Sequence, residues 1–270
     1  LHLSLRRQRQ MCIRDRRRVH FEGSVRPVLY ACACRTGLRA LGVFCHSQLM
    51  RNTMTKMGVF SLLTIAVAIG SCAPAEEDPP APMMSFFLTS AGPGSGAALG
   101  GLEGADAYCQ SLADAVEADG TWHAYLSAAA TADASAVNAR DRIGTGPWLN
   151  QALVEVASDV ANLHSENNNL TKETVLNERG GMTNGRGDTP NRHDILTGSN
   201  LDGTVAVGDG DTTCDNWTSS GEGSALVGHF DRTGGGANPN SWNSAHASRG
   251  CSQENLQGTG GDGLFYCFAI

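Results

Sequence analysis

LEGADAYCQSLADAVEADGTWHAYLS, residues 102–127, carries two hydrophobic periods in succession. Leu102, Ala105, Cys109, Leu112, Ala113 and Val116 recur at helical spacing, which predicts an amphipathic helix over about 102–118, stopped by Asp119-Gly120. After that turn, Trp122, Ala124 and Leu126 alternate with His123, Tyr125 and Ser127, as in a half-buried strand. Upstream, SFFLTS (85–90) is a short apolar run bounded by AGPGSG and reads as a first strand. Downstream, strands are expected at 215–218, 225–228 and 263–270. Residues 128–140 suit a short helix or a loop, and LVEVASDVANL (153–163) suits either a helix or a strand. Residues 165–211 are polar and rich in Gly and Asn, long for a loop without structure of its own. The expected class is α+β, a mixed, mainly antiparallel sheet with one or two helices and long loops.

Charge divides the chain. Residues 1–53 hold 11 Arg against two acids, Asp15 and Glu22, whereas 73–270 hold 8 basic against 25 acidic residues, a net charge of −17. So acidic a segment repels phosphate backbones, and nucleic acid is not an expected partner. Residues 1–18 resemble translated sequencing adapter, and 1–53 are read as a non-native or untranslated upstream segment; a basic nucleic-acid-binding arm is the alternative. From Met54, Lys56 and the apolar run 59–69 have the form of a secretory signal, too short for a membrane-spanning helix. Ile69-Gly70-Ser71-Cys72 resembles a bacterial lipobox. That resemblance implies a lipidated Cys72 after a signal peptide over 54–72, and a lipoprotein of the outer membrane or cell surface. Ordinary signal cleavage near Ala73–Ala75 is the alternative. The Pro-rich, acidic residues 73–84 read as a tether, and 85–270 as the folded domain.

Four cysteines remain in that domain: Cys109, Cys214, Cys251 and Cys267. In an exported chain they read as two disulfides, with three pairings open. A zinc site is the competing reading, but no C-x-x-C pair is present.

Gly104-Ala105-Asp106-x-x-Cys109 opening a helix, Gly120-Thr121-Trp122-x-Ala124-Tyr125-Leu126-Ser127, Cys214-x-x-Trp217, Cys251 and Leu264-Phe265-Tyr266-Cys267 follow one another in order. Together they resemble the endostatin domain of collagens XV and XVIII and its bacterial lectin-like relatives, a C-type-lectin-like fold, over about 85–270 with an insertion near 165–200. The resemblance implies the nested pairing Cys109–Cys267 and Cys214–Cys251. The endostatin zinc site does not carry over, because its amino-terminal His cluster has no match here.

Sugar-binding C-type lectins hold calcium through an acidic or amide residue on each side of a Pro. Asn238-Pro239-Asn240 resembles that loop and makes Asn238 and Asn240 candidate calcium ligands; the later Trp-Asn-Asp strand is missing. His229, Asp231, Arg232, Trp242 and His246 lie in or around the loop and are candidate ligand-binding residues, and His193-Asp194 has the same double reading of ligand contact or loop-holding hydrogen bonds. Hydrolytic motifs are absent, so a binding module is expected and not an enzyme. Its partner would be a glycan or another surface polymer, with calcium as the assisting ion, or else a protein bound by an adhesion lipoprotein. A hydrolase using His229 or His246 with Asp231 is the third reading.

Overall fold

The computed structural model describes residues 81–270 apart from Asp209. The expectations for 1–53, for the signal and Cys72 at 54–72, and for 73–80 of the tether lie outside the described residues. Among the described residues no helix is long and apolar enough to cross a membrane.

In chain order the strands are β1 (Phe86–Leu88), β2 (Trp122–Ala124), β3 (Trp148–Leu149), β4 (Glu155–Ala157), β5 (Asp194–Leu196), β6 (Leu226–His229), β7 (His246–Ala247) and β8 (Tyr266–Ala269). The helices are α1 (Gly101–Asp114), α2 (Val160–Leu163), α3 (Cys214–Trp217) and α4 (Gln253–Thr259). The described residues are α+β, with their strands divided among three small antiparallel sheets, ordered β1-β8-β2, β3-β4 and β5-β6-β7. Of the four α-helices among the described residues, only α1 and α4 exceed one turn.

The sheet β1-β8-β2 stands between two cores. Phe87 pairs with Cys267 and Ala124 faces Cys267 from the other side, and all three point into one core with α1. Phe86 pairs with Phe268 and Leu88 with Tyr266, and these four point into the second core. Strand alternation thus feeds both cores at once; the half-buried expectation holds over 122–124, where His123 is half-buried, and fails beyond it, where Tyr125 and Ser127 are as buried as Trp122. α1 covers one face with Ala105, Cys109 and Ala113. Asp106, next to that stripe, accepts the Ala124 N–H at 2.8 Å and the Arg142 guanidinium at 2.6 Å, tying the helix to the edge of β2. α1 ends earlier than expected. Ala118 N–H reaches Ala113 O and Glu117 N–H reaches Asp114 O, with Glu117 at φ 58°, a Schellman-type stop that acts before Asp119-Gly120.

Both crosslinks form as the resemblance implied, Cys109–Cys267 and Cys214–Cys251, with Cα atoms 5.6 and 5.7 Å apart. Residues 215–218 are not a strand. Cys214, Asp215, Asn216 and Trp217 all have positive φ, making α3 a left-handed turn. Such a turn is costly for L-residues, and several anchors offset the cost. Trp217 donates its indole N–H to Ser127 O at 2.7 Å, Asn216 exchanges two hydrogen bonds with the Ala129 backbone, and Asp211 accepts the Asp215 N–H. The apolar stretch at 153–163 resolves into both alternatives, β4 followed by α2, because Asp159 caps a helix start by accepting the Asn162 N–H. Within 165–211, β5 supplies the order that the composition concealed. Sequence periodicity missed α4 because Leu256 is its one buried residue, although Ser252 at its start and Gly260 at its end are ordinary boundary signals.

Candidate ligand groove and histidine cluster

The β6–β7 connection, residues 230–245, forms one wall of an open groove of about 480 Å³. Arg232, Asn238 and Asn240 bring guanidinium and amide groups to it, Trp242 and the buried Asn243 lie at its base, and His164 to Glu166 line it as well. Glu166 is the one acidic residue in the lining. Arg232 donates to Asn168 Oδ1 at 2.9 Å and to Glu166 Oε2 at 3.2 Å. Asn238 donates its amide to Ser244 O at 2.9 Å, and Asn240 is exposed. Trp242 is only 3% exposed: it packs against Tyr125, His164 and Tyr266, and its carbonyl accepts the Tyr266 hydroxyl.

His164 links the groove to this aromatic layer. Its Nδ1 contacts Val160 O at 2.8 Å and its Nε2 contacts the Tyr125 hydroxyl at 2.7 Å, so the neutral ring donates to the carbonyl and accepts from the phenol. Burial holds its pKa below the usual imidazole value of 6.5, outweighing the hydrogen bond to Val160. The unfolded chain therefore takes up this proton more readily than the folded one. The His164 contribution to stability is complete above about pH 6.5 and is lost as the pH falls through that value to the folded pKa. Urea titrations at successive pH values are expected to show this loss in the parent and a shallower slope in His164→Gln. Equal slopes would contradict the assignment.

Behind the groove wall, the sheet β5-β6-β7 collects a second set of polar side chains. Asp194 and His229 are direct cross-strand partners, and His246 is paired with Val227, two residues before His229. Period-two alternation therefore puts Asp194, His229 and His246 on one face. His193 stands just before β5 and stacks its ring on His229, with centroids 4.3 Å apart and planes 4° from parallel. The Nε2 atoms of His193, His229 and His246 lie 3.2, 3.3 and 3.5 Å from the single atom Asp194 Oδ1. Side chains of Asp194 and His229 are 2% and 0% exposed, and His246 is 25% exposed. Despite the short distances, Asp194 Oδ1, Asp194 Oδ2 and His229 Nε2 have no aligned hydrogen-bond partner.

Each ring is held from its other nitrogen. His193 Nδ1 meets Asp231 Oδ1 at 3.1 Å, His229 Nδ1 meets Pro239 O at 2.8 Å, and His246 Nδ1 meets Ala247 O at 3.0 Å. Asp231 also accepts the N–H groups of Arg186 and Thr233. Burial alone would raise its pKa, but the hydrogen bond from His193 and those two N–H groups bring it down to about 2. Burial likewise opposes ionisation of Asp194, and the imidazoles of His229, His246 and His193 outweigh it and hold that pKa low. Gly234 lies flat on the His229 ring, where a Cβ would come within 2.1 Å of Cε1.

The candidate residues thus separate into two places. Arg232, Trp242, Asn238 and Asn240 border the groove, while His229 and His246 turn away from it toward Asp194, and Asp231 pairs with His193. A hydrolase pairing of His229 or His246 with Asp231 is not the arrangement formed, since Asp194 is the carboxylate that they meet. The sequence marks His193-Asp194 for ligand contact or loop-holding hydrogen bonds without joining them to His229 and His246, and nothing local marks His164 or Asn243. No protein-family model matches the chain, and no curated protein matches it.

Proposed function

We propose that residues 85–270 form an extracellular recognition module on a C-type-lectin-like, endostatin-like scaffold, held at a bacterial cell surface through Cys72. Its groove takes a carbohydrate or another polyhydroxylated surface polymer. The observation that carries this reading is the convergence of Arg232, Asn238 and Asn240 on one open groove from a single loop. Amide and guanidinium groups present donors and acceptors at several angles, which suits clustered hydroxyls. The element order and the nested crosslinks support the lectin-like scaffold. Asn238 spends its amide N–H on Ser244 O, which leaves Oδ1 as an acceptor for a hydroxyl or for an assisting calcium ion. Binding and not catalysis is the reading, because Ser241 directs its hydroxyl to Asn243 Oδ1 and the His164 nitrogens are both engaged.

A glycan array probed with and without calcium tests this. Arg232→Ala and Asn240→Ala are each expected to weaken the captured glycan by about tenfold, the worth of a hydrogen bond to a charged or amide group. Silence in both conditions, or retention that neither substitution changes, would overturn the reading, and competition by a protein but by no sugar would favour the adhesion alternative.

A further inference from the structure

We propose that His193, Asp194 and His229 hold a zinc ion, with Asp194 giving Oδ1 and each histidine giving Nε2, and that His246 closes on the ion as the fourth ligand of a tetrahedral site. This inference is independent of the ligand taken by the groove.

The protonation pattern leads to it. All three Nδ1 atoms face oxygen acceptors, Asp231 Oδ1, Pro239 O and Ala247 O, so each Nδ1 carries the ring proton. Each Nε2 is then the ring atom left to hold a cation, and all three lie within 3.5 Å of one carboxylate oxygen. That arrangement is repulsive unless a cation lies among them. Three additional protons could supply the charge, but hydrogen bonds would then have to form, and Asp194 Oδ1 and His229 Nε2 lack the alignment for one. A buried carboxylate without a partner is costly, and a metal ion removes the cost.

Distances select the kind of ion. In a tetrahedron with zinc bonds of about 2.0–2.1 Å, ligand atoms stand about 3.3–3.4 Å apart. The three edges from Asp194 Oδ1 are 3.2, 3.3 and 3.5 Å, and the ligand atoms of His193, Asp194 and His229 all lie within 4.8 Å of one another, so a short inward movement of His246 completes the set. Calcium takes six to eight oxygens and accepts imidazole poorly, so this donor set is not a calcium site. Charge also balances, since Zn²⁺ offsets the Asp194 and Asp231 carboxylates while the three imidazoles stay neutral.

The surroundings have the form of a built site. Asp231 holds His193 in place as a carboxylate partner to the ring nitrogen away from the metal, and backbone carbonyls do the same for His229 and His246. His246 is the most exposed of the four, which gives an ion its way in. Four protein ligands fill a tetrahedron, so the zinc is structural. It clamps both ends of the β6–β7 connection, at His229 and His246, and so fixes the loop that forms the groove wall.

The test uses the untagged full chain, stripped with a chelator and dialysed against zinc. Elemental analysis is expected to find one zinc per chain, retained in a hundredfold excess of calcium, and zinc should raise the melting midpoint. Cobalt substituted for zinc should give the intense visible bands of a tetrahedral site. His246→Ala is expected to lower zinc affinity more than a hundredfold while near-ultraviolet circular dichroism stays native. Asp231→Asn should lower it about ten- to a hundredfold and keep the tetrahedral cobalt spectrum. If His246→Ala does not fold, His246→Cys serves instead and should bind cobalt with an added sulfur charge-transfer band. Less than one zinc bound, an octahedral cobalt spectrum, unchanged affinity in His246→Ala, or no sulfur band in His246→Cys would each overturn the proposal.

Discussion

Replacing Cys109 and Cys267 together by alanine is expected to destabilise the domain by about 3–5 kcal/mol, the larger figure being the chain-entropy value for a loop of this length. The crosslink spans 158 residues and joins α1 to the middle strand of the β1-β8-β2 sheet. In the unfolded chain it removes more conformations than Cys214–Cys251, whose separation is 37 and whose value on the same scale is about 4 kcal/mol. Both sulfurs of the outer pair are fully enclosed in the first core, so alanine also leaves a cavity. For a domain of this size, the melting midpoint should fall by on the order of 10 °C. Denaturant titration of the two double variants checks the size and the order. An outer pair worth less than about 1 kcal/mol, measured against the chain-entropy expectation, would show that the crosslink does not hold the fold together.

Gly228→Ala is the second substitution with a large expected effect. Gly228 lies in β6 opposite Ile195, and the backbone of Trp242 passes directly over it. A Cβ at this position would stand 1.8 Å from Trp242 O and 2.1 Å from its carbonyl carbon. Backbone cannot swing aside as the end of a long side chain can, so β6 and the loop base must separate. The expected loss is about 3 kcal/mol, at the upper end for overpacking. Because Trp242 forms the base of the groove and its carbonyl accepts the Tyr266 hydroxyl, groove binding should fail along with stability. Gly235→Ala is the control, since nothing lies within 4 Å of a Cβ there. Thermal melts of the two variants check the contrast, and a Gly228→Ala protein as stable as Gly235→Ala would mean that this close approach is not formed in solution.

The local sequence by itself determined the parts whose causes are local. The helical period of Leu102, Ala105, Cys109 and Ala113 produced α1, and the apolar runs at 85–90 and 263–270 produced β1 and β8, an edge strand and the middle strand of the first sheet. Four cysteines in one domain gave two crosslinks, and their partners came from the family resemblance, because spacing alone leaves the pairing open. Tertiary structure decided the rest. Residues 214–217 carry strand-forming neighbours, yet a buried Trp217, the Asp211 carboxylate and the Cys251 bridge together outweigh local preference and impose a left-handed turn. The histidine cluster depends on strand register, which sets Asp194 against His229 and His246 against Val227. No short window of sequence contains that information, because a slip of one residue in either pairing would send the imidazoles to the opposite face.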